Sequence, residues 1–415
     1  MKGRPVQCHI LSFEGPDPYA QAGGLASRIS GLSSALAEAG FETHLWFVGD
    51  PDLQGYEERE GLRLHRWCQW ISRYHSQGVY DGEEGKRADY AASLPPFLSH
   101  QVLLPHLQRT GSALIMAEEW HTVDAVLHLD WLLQTNGFRH RVTMLWNVNN
   151  TFGFNRIYWE RLKRAAIVTT VSRYMKALLQ SFDIDAIVIS NGLPKEAYLL
   201  PEEEAVKAFR DRLAGRTVIT KVARWDPAKR WLQSIETVRT MKAHTWRPLL
   251  IARGGAEGYG KDVLNRAAAQ GLRVTERALA SPSVRDFLEG LEGLRDIDVI
   301  SLLSPLQPTV RGLLFHGSDA VLANSKHEPF GLVGLETMAV GGVACVGNTG
   351  EDYTVPGYNA LVSETDDPQD FVNLFRVLKG APFRERALRR AGRRTAQEYK
   401  WSKIIERNLL PRLSL

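Results

Sequence analysis

Short aliphatic and β-branched runs alternate with amphipathic stretches along nearly the whole chain, the pattern of parallel sheets covered by helices. Val6 to Phe13 reads as a buried strand, and a loop carrying Gly23 and Gly24 feeds a helix from about Leu25 to Ala39, which Gly40 stops as a C-terminal cap. Further strands are predicted at Phe41–Val48, Ala113–Met116, Val142–Val148, Ala166–Val171 and Ala186–Ile189. The rhythm restarts with strands at Thr217–Ala223, Pro248–Ala252, Val299–Leu303, Ala320–Leu322 and Val343–Val346. Between the halves, Asn191 to Phe209 is rich in Pro and Glu without strand character and reads as a linker, with the boundary near Pro201. The expected architecture is α/β with two Rossmann-like domains: 1–200, 201–398, and a last amphipathic segment, 399–415, crossing back onto the first.

Bulk composition fits this picture. A soluble chain of 415 residues, 44% hydrophobic and 24% charged, is too long for one ordinary core. Its 51 basic and 47 acidic residues give +4, too mild for a dedicated nucleic-acid binder. The three cysteines, Cys8, Cys68 and Cys345, are far apart and lack metal-ligand spacing, which suggests neither a disulfide framework nor a structural zinc site and fits a reducing cytoplasm. The apolar run after the basic start MKGRP ends early with no small-residue cleavage site, so no secretion signal is expected, and no run reaches the ~18 apolar residues of a membrane span.

Chemistry concentrates in three places. In Ser325 to Glu336, SKHEPFGLVGLE, two glutamates flank a seven-residue spacer with two glycines. If a loop ends at Phe330 and a helix begins near Gly331, the amides of Gly331, Leu332 and Val333 point out of the helix N-terminus and form an anion site. Glu328 then stands before the helix and Glu336 lies about a turn and a half inside it, one placed for a sugar and the other for a ribose. The plain alternative makes Glu328 a cap and Glu336 a solvated residue. Against it, the following Met338 to Val343 is apolar and small, so the helix should be buried and Glu336 should need a partner. The second place is VARWDPAK, where Arg224 and Lys229 emerge at the C-terminal edge of the sheet, the ligand-binding edge of such folds, and suit a diphosphate. The third, Tyr19 to Leu25 with Gly23 and Gly24, lets amides approach a phosphate but serves equally as a tight turn.

These residues resemble the retaining glycosyltransferases of family 4, with glycogen and starch synthases as structural relatives. HEPFGLVGLE resembles the family's E-x7-E motif, ARWDPAK its Arg…Lys diphosphate clamp, and QAGGL the synthases' K-x-G-G-L loop. VTTVSRYM, Ser190-Asn191-Gly192 and TGEDYTVPGYNALV are similar too. The resemblance implies a GT-B fold, with a nucleoside-diphosphate sugar as donor, bound mostly by domain two, and a carbohydrate or small molecule as acceptor, bound mostly by domain one. It implies that Arg224 and Lys229 hold the diphosphate, helped by Gly331, Leu332, Val333, Gly23 and Gly24, with Asn191 and Phe330 also at the donor. Glu336 takes the ribose hydroxyls and Glu328 those of the transferred sugar. Neither a metal nor another cofactor is implied, since the departing phosphate helps deprotonate the acceptor.

Two positions depart from the synthases. At MAEEWH, Glu118 stands where they carry a histidine that contacts the donor sugar. Glu118 then either stabilises a developing oxocarbenium ion or serves as base, or His121 takes the vacated role, or Glu118 only ends a strand while His121 packs on a helix. Gln21 replaces their lysine. For the acceptor, Tyr80 in the polar loop Gly78–Lys86, Trp67, Trp70 and Tyr74, and Asn155 with Arg156 are the candidates in domain one.

Other classes compete. A sugar-nucleotide epimerase shares the architecture but lacks the E-x7-E spacer, and a nucleotide-sugar sensor without turnover would explain Glu118. Six arginines between Arg384 and Arg394 form a solvated face or a weak patch for anionic lipid rather than a nucleic-acid site.

Overall fold

A computed structural model describes residues 6–109, 111–244 and 246–413. The basic start before Val6 and the last two residues of the 399–415 segment lie outside the described residues. The chain divides into two compact units, Met1–Gly192 with Trp401–Leu415, and Leu193–Lys400. The division precedes Pro201 because the chain is already tied down at Leu193, whose amide donates to the Tyr399 carbonyl at 2.8 Å and which bridges to Lys400. Glu203–Arg212, inside the expected linker, is a helix.

The first unit holds β1 (Val6–Leu11), β2 (Glu42–Val48), β3 (Tyr56–Arg59), β4 (Leu62–Trp67), β5 (Ser112–Glu118), β6 (Val142–Val148), β7 (Ile167–Thr170) and β8 (Ile187–Val188). They form one sheet in the order β3-β4-β2-β1-β5-β6-β7-β8, parallel except for β3 against β4. The polar β3–β4 hairpin escapes a reading for buried runs because one face of β4 is solvated: Leu62 and Leu64 point in while Arg63 and His65 stay half-buried. In the expected polar loop a helix already begins at Glu83 and runs to Phe97.

The second unit holds β9 (Thr217–Val222), β10 (Pro248–Arg253), β11 (Val274–Arg277), β12 (Val299–Leu302), β13 (Ala320–Ala323), β14 (Ala344–Val346) and β15 (Leu361–Val362). Its sheet is parallel throughout, in the order β11-β12-β10-β9-β13-β14-β15. Neighbours along a strand serve opposite faces: Ile219 and Leu250 pack with Trp231, Val238 and Phe375, whereas Val218, Leu249 and Ile251 pack with Phe209, Phe287 and Leu313. In both sheets the strand order reverses beside the first strand, at β1/β5 and at β9/β13. The loops leaving the two strands there diverge and open a crevice at their C-terminal ends, where open α/β sheets take ligands.

From Trp401 on, rather than from Tyr399, the terminal segment belongs to the first unit, where Trp401 is buried and packs so closely on Gly31 that a β-carbon there would lie 2.3 Å from the indole nitrogen. The same unit buries a stack of aromatic rings set by strand register. His9 lies opposite His44, and Trp46 opposite His65. His44 Nδ1 and His65 Nε2 are 3.0 Å apart, and the Trp46 and His65 rings stack at 3.7 Å. Burial, then Arg63, lowers His44 to about 4; burial, then His44 and Arg63, lowers His65 to about 3. These rings are neutral when folded and charge near pH 6.5 when unfolded, so the unfolded state binds more protons in between. The stability they contribute is complete above about pH 6.5 and is lost as pH falls towards 4 and then 3. Urea titrations should show stability declining from pH 7 to pH 4.5 and His44→Gln flattening that decline; an identical slope in the variant would refute the assignment.

Candidate functional site

In the second unit the β9/β13 crevice is bounded by the loop carrying Arg224 to Lys229 and the loop from Asn324 to Gly331. The loops are tied together, since the Lys326 amide donates to the Ala228 carbonyl at 2.9 Å. Asp226 caps the short turn Pro227–Lys229 by accepting from the Ala228 amide, which fixes where Lys229 leaves the loop. Lys229 Nζ donates to Glu328 Oε2 at 2.7 Å, with both side chains about one-fifth exposed. Cation and carboxylate, expected on different parts of a ligand, thus neutralise each other in the free protein. Arg224 stands exposed at the same edge, with no ion pair among the described residues.

The helix after Glu328 spans Leu332–Ala339, with Gly331 as its N-cap at φ +79°. Only glycine fits there: the left-handed backbone disfavours a side chain, and a β-carbon would lie 2.7 Å from Glu351 Cγ. Gly350 is as constrained, since a β-carbon would sit 2.1 Å from the Pro329 carbonyl oxygen. The first-turn amides, including Leu332 and Val333, have no partner inside the helix and face its mouth. Glu328 is anchored through its backbone: Thr349 Oγ1 accepts from the Glu328 amide at 3.0 Å, and the Gly350 amide donates to its carbonyl at 2.8 Å.

Glu336 has the partner its surroundings require, Arg311 Nη2 at 3.3 Å, while burial raises its pKa. Arg311 escaped the sequence reading because it sits on another helix, Pro308–Gly317, and only packing brings the two together. The ring of Phe330, a residue expected at the donor, is buried against Tyr353 and Tyr399, ring centroids 5.7 and 6.0 Å away. Its bulk seats the loop. Glu351 was also missed; it is buried, with no hydrogen bond on Oε1, and burial followed by the Glu328 charge raises it to about 7.

In the first unit the β1/β5 crevice is lined by acids. Glu14, three residues after β1 ends with a serine and a phenylalanine between, sends Oε2 to the amides of Ala22, Gly23 and Ala26 at 3.3, 3.2 and 3.0 Å. The Gly23 amide expected to meet a phosphate therefore already serves an internal carboxylate at the mouth of the helix Gly24–Glu38. An acid just ahead of a Gly-Gly helix start was the available signal. Glu118 is fully buried and ends β5 with both oxygens engaged: Arg28 Nε donates at 3.1 and 3.2 Å, Asn147 Nδ2 at 2.8 Å and Asn149 Nδ2 at 3.2 Å. Arg28 also donates to Asn191 Oδ1 at 2.7 Å, so Asn191 belongs to this buried network in the first unit. A carboxylate so committed positions its neighbours and is not a free base.

The next residue, Glu119, sits at φ +66°, ψ 165°, a backbone region costly for a side chain. Burial, reinforced by Glu118 and Glu14, raises its pKa to about 8, so it keeps a proton near neutrality while accepting from the Asn149 amide at 2.8 Å. His121 stacks on Phe13 at 4.5 Å and meets Glu83 through Nε2 at 2.5 Å, leaving Nδ1 buried and unpartnered. Burial lowers its pKa against the pull of Glu83.

Of the acceptor candidates, Tyr80 donates to Glu14 Oε1 at 2.7 Å. Arg156 forms a two-pronged pair with Glu84 at 2.6 and 2.9 Å and covers the Trp120 ring at 4.3 Å. Asn155 is exposed on the same short turn. Trp67 donates to Ser93 and Trp70 to Asp89, and Tyr74 is exposed; none of these hydrogen bonds reaches Tyr80 or Arg156. Among the described residues no three His, Cys, Asp or Glu side chains are grouped to hold a metal ion.

Two reversing parallel sheets of this kind, each with its ligand crevice, define the GT-B fold of the glycosyltransferases. Solved structures agree over the whole chain: the sucrose-phosphate synthase of Thermosynechococcus elongatus is similar with a TM-score of 0.68 at 18% identity, covering 98% of each chain. The catalytic domain of starch synthase IV from Arabidopsis thaliana, bound to ADP and acarbose, has a TM-score of 0.65 at 16% identity over 98% of this chain and 100% of that one. An α,α-trehalose-phosphate synthase from Burkholderia xenovorans, in complex with glucose-6-phosphate, has 0.64 at 15% over 99% and 100%. Identities this low establish the fold. No protein-family model matches the chain, and neither does any curated protein sequence.

The buried Arg28–Glu118 pair has a measurable consequence. Glu118→Ala leaves a buried guanidinium without its counter-ion and should cost about 3–5 kcal/mol in denaturant unfolding. A loss under about 0.5 kcal/mol, the range of surface substitutions, would show that Glu118 is not held as described.

Proposed function

We propose that the protein is a retaining glycosyltransferase that moves a hexose from a nucleoside-diphosphate sugar to a carbohydrate or small-molecule acceptor without a metal. The observation that carries this reading is the convergence of Lys229, Glu328 and the mouth of the Leu332–Ala339 helix on one crevice of the second unit. When the bond between the anomeric carbon and the diphosphate oxygen breaks, that oxygen gains negative charge. Arg224, Lys229 and the amides of Gly331, Leu332 and Val333 are fixed donors for it, and they stabilise the transition state more than the ground state. The diphosphate displaces Glu328 from Lys229 and frees that carboxylate for the sugar hydroxyls. Glu336, oriented by Arg311, takes the ribose. The acceptor hydroxyl bonds to the anomeric carbon on the face the diphosphate leaves, and its proton passes to the departing phosphate oxygen. Acceptor binding falls to the first unit, through Tyr80, Asn155 and Arg156, with Glu118 as a positioning residue.

One observation favours a second reading, a nucleotide-sugar binder of weak or no turnover: Glu118, in the place of a sugar-contacting histidine, is locked to Arg28. A single series separates the two. UDP-, ADP-, GDP- and TDP-sugars are screened for thermal stabilisation, and the one that binds is followed for hydrolysis and for transfer to sugars, with the product's anomeric configuration read by NMR. The transferase reading expects an α-linked product from an α-linked donor. It also expects Lys229→Met to lower turnover by about 10²–10³-fold, the range for one lost donor of this kind. Stabilisation without any turnover selects the binder, and no stabilisation by any of the four defeats both.

A further inference from the structure

Lys221, the penultimate residue of β9, is 1% exposed. Its ammonium donates to the Leu322 carbonyl at 3.2 Å and to Asn324 Oδ1 at 2.9 Å, and lies 5.6 Å from the Trp231 ring centroid. None of these groups carries a charge. Opposite it on β10 stands Ala252. The charged groups that act on it are spoken for or repel: Lys229 and Arg230 are cations, Glu328 is bound to Lys229, and the buried Cys345 thiol is held neutral with a pKa pushed up to about 12. Arg230 in turn pairs with Asp366. Among the described residues no carboxylate forms an ion pair with Lys221. A buried ammonium without a counter-ion is costly; Lys86 in the first unit offsets that cost with three oxygen acceptors, whereas Lys221 has two, which leaves room for a charge arriving from outside or for loss of the proton.

The two acceptors show which charge would arrive. Leu322 lies within β13, and Asn324 opens the loop that runs to Gly331, while Lys221 itself lies three residues before Arg224. Lys221 thus cross-links the two strands whose loops bound the crevice, at the root of both. We infer that Lys221 is a positioning residue whose ammonium takes its counter-charge from the donor's diphosphate, so that nucleotide-sugar binding is coupled to proton uptake at Lys221. The inference rests on the donor site proposed above and adds to it a buried third cation and a direction of pH dependence.

Burial, with Lys229 next, lowers Lys221 to about 7 in the free protein. A diphosphate nearby favours the charged form and raises that value, so binding takes up a proton above about pH 7 and none well below it. Affinity accordingly falls as pH rises, at most about tenfold per pH unit for one proton. Glu351, raised to about 7 and facing Glu328 and Tyr353, also takes up a proton when an anion binds and must be separated from Lys221. The diphosphate of a nucleotide sugar is esterified at both ends and keeps its charge across this range, so the ligand does not contribute.

The test is titration calorimetry of the full chain at pH 8 with the nucleotide sugar that stabilises it in the screen, in two buffers of different ionisation enthalpy. The expected result is proton uptake by the wild type that falls in Lys221→Met to the part Glu351 takes up, persists in Glu351→Gln, and falls likewise in Asn324→Asp. The last change supplies an internal carboxylate that keeps Lys221 charged at all times and stands in if Lys221→Met fails to fold. No uptake by the wild type, or uptake undiminished in either Lys221→Met or Asn324→Asp, overturns the inference while leaving the donor site intact. Failure of every nucleotide sugar to bind removes the donor site itself, and the inference with it.

Discussion

The contact between Lys229 and Glu328 depends on a topological fact: β9 and β13 are neighbours whose following loops turn apart. That divergence leaves a gap that no strand residue fills, and the gap is lined by what the two loops present. One presents a cation fixed by the Asp226 cap, the other a glutamate followed by the glycine that starts a helix. Were β13 paired elsewhere, the same motifs would lie on unrelated edges and have no joint chemistry. Parallel strand order thus decides whether the residues form a site at all.

Both units manage charge in low dielectric by pairing, and the exceptions are informative. In the first unit Glu118 is matched by Arg28, Glu14 by three amides and a tyrosine hydroxyl, and the buried Lys86 ammonium by a tyrosine hydroxyl and two carbonyls. Glu119 has no cation and retains its proton instead. In the second unit Lys221 and Glu351 lack opposite charges, and both lie next to residues of the β9/β13 crevice. The unmatched cation, Lys221, suits the doubly charged anion proposed for this crevice, because a fully neutralised crevice gains little by binding one.

Much of the fold was legible because buried parallel strands are short, apolar and evenly spaced. The strands at Val6, Val142, Thr217 and Pro248 begin where the apolar runs do. The half-solvated hairpin Tyr56–Trp67 and the edge strand Val274–Arg277 were not, since their exposed faces carry charges that interrupt the run. In the candidate site the local features were readable: the glycine at the helix start, the cation after the strand, the glutamate before the cap. Partners distant in sequence were not. Arg311 for Glu336, Arg28 for Glu118 and Asn324 for Lys221 come together only through packing, and no spacing rule predicts them. Phe330 shows the complementary limit, since a motif position marks a residue as necessary without saying whether it touches ligand or holds the loop.

The central claim is that one crevice of the second unit grips a pyrophosphate between a cation and a helix mouth. A crystal structure with a bound nucleotide sugar tests it most directly. The account predicts diphosphate oxygens within hydrogen-bonding distance of Lys229 Nζ and of the amides at the start of the Leu332–Ala339 helix, with Glu328 turned away from the lysine. A nucleotide bound elsewhere, with Lys229 and Glu328 still paired, would contradict it.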